Sequence, residues 1–243
     1  MTSAAFKRVY KSAEAVPARG RFAGIADGYS VALDGKPIHT PAKAPLIVPT
    51  RALAAAIAEE WSSQGDTVAP ATMPMMTFAS TAIDRVAPQR QRVIEEIAAY
   101  GGTDLVCYRA EAPADLVRRQ QAAWQPLVDW AALTYDAPLG VTAGIVPLGQ
   151  PAGALNALSR AVAGFDDLAL AGLHVATAAA GSLVIALALA ARRLDVEAAF
   201  AAAQLDETYQ IEKWGEDAEA TVRRAAIRAD LDAADRLWRL LEA

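Results

Sequence analysis

Tyr29-Ser30-Val31-Ala32-Leu33-Asp34-Gly35-Lys36-Pro37-Ile38-His39-Thr40 decides how this chain begins. Asp-Gly between two extended runs is the strongest short hairpin signal, because a type I′ turn needs positive φ at both central positions. Pro37 makes the returning strand an edge, since it has no amide proton to give to a ladder. Toward the N-terminus, Phe6–Tyr10 and Arg21–Ile25 read as further short strands, and Asp27-Gly28 as a second turn. Toward the C-terminus, Pro41, Pro45 and Pro49 confine one more extended piece, Leu46–Val48. The period then changes. Thr50 is placed to cap a helix that carries Leu53, Ile57 and Trp61 on one face, and Gln64-Gly65-Asp66 ends it.

Beyond Pro70–Pro74 the alternating pattern does not return, and the text reads as helix. Met75–Val86 is a short apolar helix, and Pro88 opens another that runs to Tyr100 before Gly101-Gly102. Thr103–Tyr108 fits either an extended segment or a short helix. Pro113 opens a long helix with Leu116, Trp124, Leu127, Val128 and Ala131 toward a core and Pro126 inside it. Pro138–Pro147 reads as a loop or a short extended segment. Helices are then expected over 151–162, 167–179, 182–193 and 195–214. A last helix follows Gly215 with the stripe Ile227, Leu231, Ala234, Trp238 and Leu241. Its outer face carries Arg228-Asp232-Arg236 and Asp235-Arg239 at four-residue spacing. The expected fold class is α+β: a small N-terminal β-rich domain with one helix, residues 1–72, followed by a larger all-α-helical domain, residues 73–243.

Composition narrows the function. With 54% hydrophobic and 21% charged residues the chain has the makings of a packed core, and much of the apolar share is alanine, which favours helices. A net charge of -5 and the lack of any basic run argue against a nucleic-acid partner. One cysteine, Cys107, excludes an internal disulfide, and with only two histidines, His39 and His174, a transition-metal site is not expected. The single cysteine fits a reducing compartment such as a cytosol, and Met1–Val16 lacks both the long apolar core of a signal peptide and enough arginines for an organellar presequence. Leu168–Ala191 carries no formal charge and is long enough to span a bilayer. Its alanine content, His174, Thr177 and the breaker pair Gly181-Ser182 make it read as buried helices instead.

Chemistry is scarce. No phosphate-cradling loop or dinucleotide fingerprint is present, and Gly35-Lys36 belongs to the hairpin. Ser182 lacks the second glycine of a nucleophile elbow, and His174, a conceivable base for it, reads as a histidine between packed helices. Cys107 reads as a buried, inert thiol. His39 reads as an exposed strand residue, and Met73, Met75 and Met76 as core at a junction. The unusual segment is Leu205–Asp217. On a helix, Asp206, Gln210, Lys213 and Asp217 share one face, while Glu207, Ile211 and Trp214 share another. Acid beside tryptophan suits a protein-binding surface. It equally suits a helix end with an inward tryptophan and wet acids, and the pattern alone leaves both open.

These residues, with others, resemble the family of ATP synthase assembly factors that bind the free α subunit. The likeness runs through Val31–Pro37 with Thr40-Pro41-Ala42, Leu53-Ala54, Ala58-Glu59-Glu60-Trp61 with Gln64, Met73-Pro74 and Ala82-Ile83-Asp84. It continues through Thr103–Tyr108, Trp124–Leu127 with Trp130, Gly181-Ser182, Tyr209-Gln210 and Trp214-Gly215. It implies a β-rich domain before a helical one, no catalysis and no cofactor. The implied partner is the α subunit of the F-type ATP synthase head, shielded until the β subunit replaces it. The partner-binding residues implied are Glu207, Gln210, Trp214, Glu216 and Asp217. Where the family often has an acid four residues past the motif tryptophan, this chain has Ala218, between Asp217 and Glu219. A bacterial cytoplasmic protein without stable membrane insertion is expected.

Overall fold

A computed structural model describes residues 5–22, 25–144 and 146–243. It is an α+β fold in which a short strand-bearing stretch precedes a long helical one. The elements in order are β1 (Phe6–Lys7), β2 (Ala13–Phe22), β3 (Ile25–Leu33), β4 (Lys36–Pro37), α1 (Arg51–Ser62), β5 (Thr67–Val68), α2 (Pro74–Thr81) and α3 (Arg90–Ala98). They continue with β6 (Tyr108–Arg109), α4 (Ala114–Tyr135), β7 (Thr142–Ala143), α5 (Ala152–Ala163), α6 (Asp167–Ala180) and α7 (Leu183–Ala190). The last are α8 (Val196–Ala203), α9 (Leu205–Trp214) and α10 (Ala218–Leu241).

The hairpin forms where Asp-Gly requires it. Asp34 and Gly35 both have positive φ, 47° and 77°, and β4 pairs with β3 as the edge of the sheet β2-β3-β4. The Asp34 carboxylate accepts from the Lys11 and Ser12 amides, at 3.0 and 2.9 Å, and these bonds hold it below the usual carboxylate range. Asp27-Gly28, expected as a turn, instead lies inside β3, paired with Arg19 and Ala18 of β2. Gly28 is there because the segment at Ile47 and Val48, bridged to Tyr29, lies against it: a Cβ would lie 2.8 Å from the Val48 carbonyl oxygen and 2.8 Å from Ile47 Cγ2. Phe6–Tyr10 narrows to β1, and the expected strand at Arg21–Ile25 includes residues outside those described.

The chain packs as two compact units. The first comprises residues up to Arg90 together with 166–172 and 236–243; the second comprises 91–165 and 173–235. The expected division at 72/73 therefore falls inside the first unit. Two carboxylates account for this. Glu60 on α1 accepts the Met75 and Met76 amides at 2.7 and 2.9 Å, docking the start of α2 against α1. Asp84 accepts from Thr40 Oγ1 at 2.6 Å and from the Ala42 amide at 3.0 Å, tying the following turn to the strands. Thr50 caps α1 through the Leu53 amide, and its hydroxyl donates to the Leu240 carbonyl at 2.6 Å. Tyr10, Val68 and Met73 form a small core with Leu33, Trp61 and Met76 against it, so Met73 and Met75 are core residues.

In the second unit the central pillar is α4, with Trp124 fully buried and its indole donating to the Ala202 carbonyl at 2.9 Å. Thr103–Tyr108 resolves into a 3-10 turn followed by β6, which pairs in parallel with β7. These small strands are an addition to the all-helical reading. The uncharged stretch Leu168–Ala191 breaks at Gly181, with φ 63°, into α6 and α7. Among the described residues no helix is long and apolar enough to cross a membrane. One expected helix, 195–214, is two: Gln204 leaves helical geometry at φ −110°, ψ 22°, and α8 ends there. Along α10, Leu231, Ala234 and Trp238 are buried as the stripe requires. Asp235, expected on the outer face with Arg239, is buried and pairs with Arg192.

Candidate functional site

Ser182 is fully buried and serves as the N-cap of α7: its oxygen accepts the Ile185 amide at 3.0 Å while its hydroxyl donates to Asp104 at 2.5 Å. His174 is exposed on α6, which corrects its placement between packed helices. Cys107 is buried, and burial pushes its thiol up to about 12, so it carries no thiolate at neutral pH. His39 is exposed beside the hairpin, as expected.

The segment that combines exposed aromatic and charged groups is the corner where α9 meets α10. The corner is built from side chains that fix α9 on both flanks. Tyr209 is buried, and its hydroxyl donates to Asp115 of α4 at 2.9 Å; that bond holds Asp115 below the usual carboxylate range. Arg119 and Lys213 stand 5.3 and 5.1 Å from the Tyr209 ring centroid. On the α4 side Arg119 pairs with Glu212 at 2.8 Å and Lys213 with Asp115 at 3.6 Å. On the α10 side Arg223 pairs with Glu207 at 2.9 Å, and Arg224 with Glu216 at 3.5 Å. Each exposed pair is worth only about 0–1 kcal/mol, so their effect is mainly orientation.

Gly215 makes the corner. With φ 87° and ψ 165° it occupies a region essentially closed to residues with a Cβ, and it ends α9 one residue after Trp214. Asp217, two residues on, restarts the helix: its carboxylate accepts the Ala220 amide at 2.7 Å, and its carbonyl accepts the Thr221 amide at 3.0 Å. Asp217 therefore does not continue the α9 face with Asp206, Gln210 and Lys213; it is the cap of α10. Trp214, left at the apex, is 78% exposed, and Val222 on the first turns of α10 is 71% exposed.

Glu207, Gln210, Trp214, Glu216 and Asp217 thus all lie on this corner, in distinct local roles. Glu207 and Glu216 are engaged by arginines of α10, Asp217 caps that helix, Gln210 is exposed on α9, and Trp214 projects. Of the two readings of the tryptophan, the inward one is excluded. Sequence reasoning missed the arginines, Arg119, Arg223 and Arg224, that hold the acids in place. The i, i+4 pattern within α9 cannot report partners that lie on other helices, eight to 93 residues away. The corner thus leaves Trp214 exposed beside helices that Tyr209, Asp115 and the ion pairs to Arg119, Arg223 and Arg224 orient.

The ATP12 chaperone family model matches residues 7–132, ending before α9. The chain is also similar over nearly its whole length to the crystal structure of Atp12 from Paracoccus denitrificans. That match has 40% identity and a TM-score of 0.89, covering 97% of this chain and 98% of that one. A point mutant of the same Paracoccus protein matches with a TM-score of 0.88 at 40% identity, each chain 97% covered. A protein from Agrobacterium tumefaciens matches at 40% identity and a TM-score of 0.88, over 98% of this chain and 87% of that one. The chain belongs to the ATP12 chaperone family, the ATP synthase assembly factors that its sequence resembles.

Proposed function

We propose that this protein binds the free α subunit of the F-type ATP synthase in the bacterial cytoplasm and shields its subunit-pairing surface until the β subunit replaces it. Family membership supports the assembly role, and the observation that carries the binding site is Trp214, exposed at the apex of a corner held rigid on both flanks. A subunit destined for a ring exposes apolar surface until its neighbours arrive, and such surface aggregates. A chaperone that covers it stabilises the free subunit by mass action and yields when the permanent neighbour binds more tightly. An exposed indole on the same corner as Glu207, Gln210, Glu216 and Asp217 fits that use: the ring supplies apolar contact, and the polar groups on the corner offer hydrogen bonds without permanent adhesion.

The test is capture of purified α subunit by Trp214→Ala and Glu207→Ala variants that keep the parent's thermal unfolding. A central aromatic contributes about 2 kcal/mol or more at an interface, so Trp214→Ala should weaken capture by about 30-fold. Unchanged capture by both variants removes the corner from the binding site. Failure of the unaltered protein to bind α subunit at all removes the reading.

A further inference from the structure

Gln120 of α4 is 1% exposed, and both ends of its side-chain amide are engaged. Its oxygen accepts the Ala110 amide at 2.7 Å, and its nitrogen donates to Asp206 Oδ1 of α9, also at 2.7 Å. A backbone amide can only donate, so the oxygen must face Ala110 and the NH2 group is turned toward α9. Arg109, buried beside it, gives Nη1 to the Gln120 carbonyl at 2.6 Å and stands 5.2 Å from the Trp124 ring centroid. Its Nε and Nη2 have no hydrogen-bond partner among the described residues. A neutral, directional amide therefore grips Asp206, and the buried cation does not. The start of α9 is not fixed by its own cap: Gln204 makes no capping bond, and Arg224 of α10 reaches Thr208 from the other flank at 3.2 Å.

We infer that Gln120 is a positioning residue for the Trp214 corner: through Asp206 it sets the direction of α9, and with it the place of the indole. The inference rests on the client-binding reading above and adds an interior residue to that site. Direction needs two points. Tyr209 is tied to Asp115 and Asp206 to Gln120; both partners lie on α4, and together they fix the line of α9 against it. The pairs of Arg119 with Glu212 and Lys213 with Asp115 lie on the exposed side, where screening leaves them little strength. The Gln120 bond is buried and made to a carboxylate, which strengthens it. With that bond gone, α9 is free to pivot about Tyr209. Trp214 lies five residues beyond, about 7.5 Å along the axis, so a pivot of about 15° carries it about 2 Å. A binding constellation loses its fit over such a distance.

Gln120→Glu keeps the shape of the side chain and the acceptor for Ala110, but sets a carboxylate against Asp206. Adding Asp206→Asn supplies a donor again and rebuilds the bond with its direction reversed. Asp206→Asn alone still accepts from Gln120 and should capture α subunit like the parent. With each variant shown by thermal unfolding to be folded at the assay temperature, Gln120→Glu should weaken capture of purified α subunit about tenfold and speed amide exchange of residues 209–214 about tenfold, with α4 unchanged. The double variant should return both toward the parent. A lowered thermal midpoint with capture by the folded protein unchanged marks a merely structural role and overturns the inference. Should Gln120→Glu fail to fold, Asp206→Ala removes the same bond from its half-buried end and is read in the same way. Parent-like capture and exchange in these variants, or a loss that Asp206→Asn leaves unrepaired, overturns the positioning role and leaves the chaperone reading standing. If the unaltered protein binds no α subunit, the client reading falls, and α9 exchange in Gln120→Glu still decides whether Gln120 sets the helix.

Discussion

Asp104 is fully buried and accepts from the Ser182 hydroxyl, the Val184 amide at 3.0 Å and the Val106 amide at 3.2 Å. It joins the 3-10 turn before β6 to the start of α7. Its removal in Asp104→Ala strands several buried donors at about 1–3 kcal/mol each, and a fall in thermal midpoint of more than 10 °C is the expected reading. Burial outweighs these donors and raises the carboxyl from 3.8 to about 6. The folded state therefore binds the proton more tightly than the unfolded chain between those values. The contribution of this group to stability falls as pH rises from 3.8 to 6 and is level above that. Measured by urea unfolding against Asp104→Asn, which cannot titrate, the native protein should gain about 1 kcal/mol on going from pH 7 to pH 5; a flat difference contradicts the assignment. Thr103–Tyr108 and Gly181-Ser182 both carried the family resemblance, yet nothing in the sequence joined Asp104 to Ser182. Their separation is 78 residues, and only folding brings a carboxylate to a distant cap.

Elements were legible where local chemistry settles them and illegible where packing does. The Asp34-Gly35 hairpin, the Thr50 cap and the stripe of α10 follow from φ preference, capping and periodicity. Asp27-Gly28 misled because its glycine answers the close approach of Ile47 and Val48, not a turn. The break between α8 and α9 was hidden for a similar reason: Gln204 has no breaker character of its own, and Tyr209, Gln210 and Trp214 keep helical spacing beyond it. At the α9–α10 corner Gly215 is the element that aims Trp214. No atom obstructs a Cβ there, so Gly215→Ala tests backbone conformation alone. It should cost about 1–3 kcal/mol in urea unfolding, and it should reduce α-subunit capture by more than that loss of stability predicts, because the indole is re-aimed. Equal stability and equal capture would show that the corner geometry is not used. The acids of the corner were visible in sequence; their arginine partners were not.

At the scale of the whole molecule, the surprise is which residues make the strand-bearing unit. The sequence reads it as the first 72 residues, but its chain composition includes 166–172 and 236–243. Leu237 and Trp238 from the end of α10 are buried, and the Trp238 indole donates to the Ala169 carbonyl at 3.2 Å. Gly172 is small because these side chains lie over it: a Cβ would meet Leu237 Cδ2 at 3.1 Å and Trp238 Nε1 at 3.2 Å. The hydrogen bond from Thr50 to Leu240 then ties the start of α1 to the same terminal turn. A hydrophobic stripe announces that α10 buries one face; it cannot announce that the last two turns belong to the unit that holds the N-terminal strands and α1. The consequence is testable with the full chain. Trp238→Ala should cost about 3–5 kcal/mol, and its exchange signature should appear far away in sequence, as lost protection in α1 and α6 with the middle of α4 unchanged. Loss confined to the final turn of α10 would mean that this terminus merely lies against the unit without helping to hold it together.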